Sequence, residues 1–239
     1  MANVWTRDRA KRFYLGFGLF GLAAVCAGFG TTYGVPMARG SFAAPVIVHV
    51  HGALCLTWVL LFIGQSVLVR LSHTQLHRTL GLIGVPVALG ILLSGMGTAR
   101  WATARDLGTD PAAPTAMIGT LTSLTLFAGF VIFGVAMRRR PDWHKRLLML
   151  ATVVVLWPAF FRFRHLLPSV PRPDIWLALV LPDLAMVVAA VRDRLVYGRV
   201  HPVWAIWGTA LVLEQSVEVL AFDSALWREL GGAVYRFVE

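Results

Sequence analysis

A chain of 239 residues that is 57% hydrophobic and only 14% charged has too little polar surface to dissolve as a globule, so lipid must cover much of it. The formal net charge of +10 comes from short Lys and Arg clusters between long apolar runs, a topology pattern and not the continuous basic face that nucleic acid requires. Two cysteines, Cys26 and Cys55, exclude a disulfide framework and a CxxC redox pair.

Taken in order, uncharged apolar runs predict spans over residues 13–36, 44–69, 79–99 and 113–137, each near or above the ~20 residues that a bilayer demands. The first reads as an uncleaved helix, because its apolar stretch exceeds a signal-peptide core and no small-residue cleavage site follows. Three further spans carry charge. Arg162 ends the fifth (145–162), Asp183 lies within the sixth (174–191), and Glu214 and Glu218 lie within the seventh (201–222). The expectation is one integral membrane domain over 1–239, an all-α polytopic bundle of about seven helices. Of the 22 basic residues, fourteen fall on the side of the N-terminus (Arg7 to Arg12, Arg70, Arg78, Arg138 to Arg146, Arg192 to Arg199). The positive-inside rule makes that side cytoplasmic and puts the tail from about Asp223 outside, in a bacterial inner membrane. No Walker loop, HExxH or GxSxG occurs, so nucleotide and hydrolase chemistry find no support.

Each connection on the basic side opens with Arg and closes with His: Arg70 to His77, Arg138 to His144, Arg194 to His201. Such residues anchor helix starts among lipid headgroups, or they form a cofactor or proton site. The segment His49-Val50-His51-Gly52-Ala53-Leu54, followed by Trp58, Gln65, His77-Arg78, the run His144 to Thr152 and Gly198-Arg199-Val200-His201-Pro202, resembles an uncharacterised family of bacterial multi-pass membrane proteins. The resemblance covers roughly residues 45–230 and implies no activity. In the placing of histidines near both ends of a bundle, the chain is also similar to diheme transmembrane cytochromes b. That similarity implies haem b, or a transition metal, with His49 or His51 on one side and His77, His144 or His201 on the other as candidate axial ligands.

Ionisable residues inside spans carry the chemical information, since each costs about 2.5–3.5 kcal/mol to insert at a helix centre and must find a partner or water. At about 1.5 Å per residue, His51, Asp183, Glu214 and Glu218 all lie in the half of the membrane away from the basic side. His51, Cys55, Trp58, Phe62 and Gln65 recur at helical spacing, and Glu214 and Glu218 share a face next to Gln215. These positions predict a polar pocket formed by His51, Trp58, Gln65, Glu214, Gln215 and Glu218. Pro158 and Pro182, beside Arg162 and Asp183, predict two bent helices joined by an Arg162–Asp183 ion pair. Three functions stay open: a redox protein with haem or metal, a proton-coupled carrier of a small solute, and an accessory or assembly subunit. Expected partners are the lipid bilayer and other membrane proteins or further copies of the chain, and not nucleic acid.

Overall fold

The computed structural model describes residues 4–238, with side chains from residue 12 onward. Seven helices are long and apolar enough to cross a membrane: α1 (Arg12–Ala38), α2 (Val46–Arg70), α3 (Thr74–Asp106), α4 (Thr115–Ala136), α5 (Pro141–His165), α6 (Asp174–Tyr197) and α7 (Val203–Ala221). An eighth, α8 (Ala225–Phe237), follows, and no strand occurs among the described residues. The protein is therefore an all-α membrane bundle. All seven expected spans fall on these helices. The third begins earlier than its hydropathy indicates, because Thr74–Gly81 is already helical before a break at Leu82 and Ile83. Helix α5 also starts early, with Pro141 in its first turn and Asp142 beside the positive end of its dipole, both favourable choices there. Helix α8 was not foreseen. It starts from Ser224, whose Oγ accepts the Trp227 N–H at 3.3 Å, and forms an amphipathic helix too short to span.

Helix α5 stands at the centre, and α1, α2, α4, α6 and α7 all pack on it. Around it α1 meets α2, α2 meets α3, α3 meets α4, α4 meets α7 and α7 meets α6. The ring closes where the Arg192 guanidinium of α6 lies 5.2 Å from the Phe13 ring of α1. Apolar residues on every side of α5 are buried accordingly, among them Leu147, Met149, Leu150, Val153, Leu156 and Phe160. The surrounding helices instead turn Val188, Leu195, Leu213 and Leu220 outward, as lipid-facing helices do. Trp58 of α2 reaches this centre, donating to Thr152 Oγ1 of α5 at 3.2 Å and meeting the Phe127 ring of α4 edge-on at 5.0 Å.

Three stretches are wound wider than an α-helix: Gly30–Gly34, Asp174–Val180 and Val203–Gly208. Each adjoins a proline, Pro36, Pro182 or Pro202. Pro36 and Pro182 each lack an N–H and crowd a carbonyl one turn earlier, inside the wide stretch, and the wide turn relieves both conflicts; Pro202 starts its helix, where it raises neither conflict.

The strongest polar contact lies towards the basic face. Arg146 of α5 and Asp193 of α6 are each 1% exposed and meet at 2.6 Å, Nε to Oδ2. The same oxygen accepts Trp204 Nε1 of α7 at 2.8 Å, while Arg146 Nη1 donates to the Asp142 carbonyl at 2.6 Å. Arg192 adds a second cation at 3.3 Å from Asp193 Oδ1. This brace, and not an Arg162–Asp183 pair, ties the central helix to its neighbours. Removing one member of a buried pair leaves an uncompensated charge, at a cost of about 3–5 kcal/mol. Asp193→Ala and Arg146→Ala should therefore each lower the melting temperature in detergent sharply, and unchanged melting in both would contradict the brace.

Nearby, His201 Nδ1 accepts the Val203 N–H at 3.2 Å and the ring lies 5.2 Å from that of Trp143. Burial, and next the positive charge of Arg146, pulls the imidazole below its ordinary value of 6.5. The unfolded chain then takes up this proton before the folded one does. The contribution of His201 to stability is complete above pH 6.5 and is lost as pH falls through the lower folded value. Replacing it by Asn should flatten the acid limb of a melting-temperature profile; an identical limb would count against this assignment.

Candidate functional site

The carboxylates of the sixth and seventh spans gather on one side of the bundle, away from the basic face. Asp183 follows Pro182, at the junction where the wide turns of α6 become regular helix, so the bend sets the direction of its side chain. It is 5% exposed and close enough to Glu214 for the two charges to interact. Glu214 has Thr122 of α4 and Glu218, one turn on, as neighbours. All four carboxylate oxygens of Asp183 and Glu214 are buried, and none has a hydrogen-bond partner. Gln215, buried beside them, leaves its Oε1 unpartnered as well.

Glu218 closes the row on the side away from the basic face. Its Oε1 accepts Thr122 Oγ1 at 3.4 Å and Trp227 Nε1 of α8 at 3.3 Å. Its Oε2 lies where a side chain on Gly119 would begin, 2.6 Å from an ideal Cβ there, so a larger residue at 119 would displace the end of the Glu218 side chain. Helix α8 covers this end by a similar device. An ideal Cβ on Gly231 would stand 2.1 Å from the Pro114 carbonyl oxygen, which means that the backbones of α8 and the start of α4 touch. Among the described residues no ion pair reaches Asp183, Glu214 or Glu218.

The expected six-residue pocket is divided among four places. His51 faces α3, with Nδ1 2.9 Å from Ser94 Oγ and Nε2 3.6 Å from Cys55 Sγ. Trp58 occupies the centre with Thr152. Gln65, about 21 Å along α2 from His51 at the helical rise, lies at the basic end. Only Glu214, Gln215 and Glu218 come together, and the missing element is α2, which packs on α1, α3 and α5 while α7 packs on α4, α5 and α6. The structure does not bring Arg162 and Asp183 together either. Arg162 Nη1 donates to the Pro158 carbonyl at 2.9 Å, and its guanidinium stands 4.0 Å from the Phe29 ring centre. The helix bent by Pro158 thus satisfies its own cation. Ser94, Thr122, Gly119 and Trp227 are site residues that sequence reasoning missed; the only signal was Trp227 on the apolar face of an amphipathic tail.

Among the expected haem or metal ligands, His49 Nδ1 is taken by the Tyr33 hydroxyl at 2.7 Å, and both His51 nitrogens are engaged as above. Between the two ends of the bundle, Trp58, Phe127 and Phe130 fill the core. His201 caps α7, whereas the His77 and His144 rings face each other with centres 6.3 Å apart. No group of three or more His, Cys, Asp or Glu side chains among the described residues is placed to hold a metal ion.

Because α8 docks by backbone contact, Gly231→Val should release it. Amide hydrogen exchange across 225–237 should then rise at least tenfold while the seven spans stay protected, and unaltered protection of α8 would show that the contact is not what holds it. Comparison with family models, with curated proteins and with solved structures found no match for this chain.

Proposed function

We propose that the protein is a proton-binding carrier of a bacterial cytoplasmic membrane, with its N-terminus in the cytoplasm, which uses Asp183, Glu214 and Glu218 to couple proton movement to that of a small solute. The orientation rests on the excess of Arg and Lys at the face of the α2–α3, α4–α5 and α6–α7 connections. One observation carries the functional reading: two carboxyl groups lie in adjacent helices with all their oxygens buried and unpartnered. A bare carboxylate in such surroundings is costly, and a second one beside it more so, unless a proton or a bound cation neutralises them. Ionisable groups held inside a membrane in this state mark proton relays and ion paths.

The surroundings suit that role. The wide turns before Pro182 and at the start of α7 interrupt the helices that carry the carboxyls, and interrupted helices line binding sites in transport proteins. Trp227 holds the outermost carboxylate from the covering helix, so that movement of α8 would expose the row to the outer side. Neither the redox nor the accessory reading has a comparable observation behind it.

Infrared spectroscopy of the purified protein tests the protonated state without knowledge of the solute. The wild type should show a carbonyl stretch of protonated carboxylic acid at neutral pH, reduced in Asp183→Asn and again in Glu214→Gln. A wild-type spectrum without that band, or one unaltered by both substitutions, would refute the proposal.

A further inference from the structure

At the other end of the bundle, Gln65 of α2, His77 of α3 and His144 of α5 meet in an arrangement that the carboxyl row does not use. His144 Nδ1 lies 2.8 Å from the Gly134 carbonyl oxygen. A carbonyl only accepts, so Nδ1 carries the hydrogen and the neutral ring keeps a lone pair on Nε2. Fixing of one ring nitrogen on a backbone carbonyl is the arrangement that orients metal-ligating histidines. The ring of His77 lies against the main chain of Gln65, and its Nδ1 is buried without a partner. The Gln65 amide is the third member, with both Oε1 and Nε2 buried and unpartnered. Its Oε1 stands 3.5 Å from an ideal Cβ on Gly81, one turn beyond His77 on the same helix face.

From these positions we infer that His77, His144 and the Gln65 amide oxygen form a binding site for one transition-metal ion of the copper–zinc end of the first row. Imidazole suits these metals. With metal–nitrogen bonds of about 2.0–2.1 Å, two imidazoles on one tetrahedral ion have centres about 5.2 Å apart, so the rings, now 6.3 Å apart, would close by about 1 Å on binding. The ion would join α2, α3 and α5 at the basic face, and it would satisfy two buried atoms that otherwise have no partner, His77 Nδ1 and Gln65 Oε1. The site is independent of the carboxyl row.

Zn(II) alone serves as the probe, titrated calorimetrically into the chelator-washed, full-length protein in detergent. One equivalent should bind, with affinity unchanged in His165→Ala, an exposed histidine at the opposite end, and in Asp183→Asn and Glu214→Gln. Affinity should fall at least tenfold in His77→Ala and in His144→Asn, whose amide can keep the hydrogen bond to Gly134 while the free ring nitrogen is lost. Metal-free melting temperatures of these variants, equal to that of the wild type, show that the fold is kept. If His77→Ala melts early, His144→Asn and Gln65→Leu decide the matter by the same criterion. The inference is overturned if the wild type binds no Zn(II), if both histidine variants bind as the wild type does, or if binding is lost in the Asp183 and Glu214 variants instead.

Discussion

Arg146 and Asp193 are buried to 1% exposure and meet at 2.6 Å between the central helix and α6, and the remaining packing is arranged around that contact. Two charges taken out of water gain from each other only when their other hydrogen-bonding positions are satisfied. Here Trp204 takes part of the carboxylate from α7, and the Asp142 carbonyl takes one guanidinium nitrogen. Three helices are thereby fixed in rotation at one level. With α5 fixed, Thr152 faces Trp58 across the centre, and Pro158 carries Arg162 towards Phe29 and away from Asp183.

This rotation separates two kinds of polar chemistry. His51, His77, His144 and Gln65 belong to α2, α3 and α5, whereas the carboxyl groups belong to α6 and α7 and lean on α4. Packed aromatic rings lie between them, including Phe127, Phe130 and Trp207. A membrane bundle gains little from burying apolar residues against one another in place of lipid, so shape, small residues and hydrogen bonds decide which helices touch. Gly231 illustrates this, since it admits the backbone at Pro114 that a methyl group would exclude.

Much of the fold was legible because lipid imposes length and hydropathy on every span. Four helices could be read from uncharged runs and three from apolar runs that carry charge, and the depths of Asp183, Glu214 and Glu218 from the helical rise. Neighbourhood was not legible. His51 and Glu214 lie at similar depth, but their helices sit in different parts of the ring, and a single sequence carries no record of that. The expected ion pair failed for a related reason: nearness to a proline does not bring Arg162 to Asp183, since Arg162 can reach the Pro158 carbonyl in the last turn of its own helix. Asp193 was hidden among the basic residues of a connection, where Arg192 and Arg194 made it look like part of a solvated charge cluster. Helix α8 was missed because its apolar face is too short to register as a span, although Ser224 and Trp227 mark its start.

Site-directed cross-linking tests the account most directly, because its central claim is that α7 delivers the carboxyl row to α4 and not to α2. In a background lacking Cys26 and Cys55, cysteine pairs would be placed at 122 and 218 and, separately, at 51 and 214, and treated with a short bifunctional maleimide. Rapid linking of Thr122→Cys with Glu218→Cys, and none between His51→Cys and Glu214→Cys, is the predicted result. Efficient linking of the second pair, with the first unreactive, would contradict it.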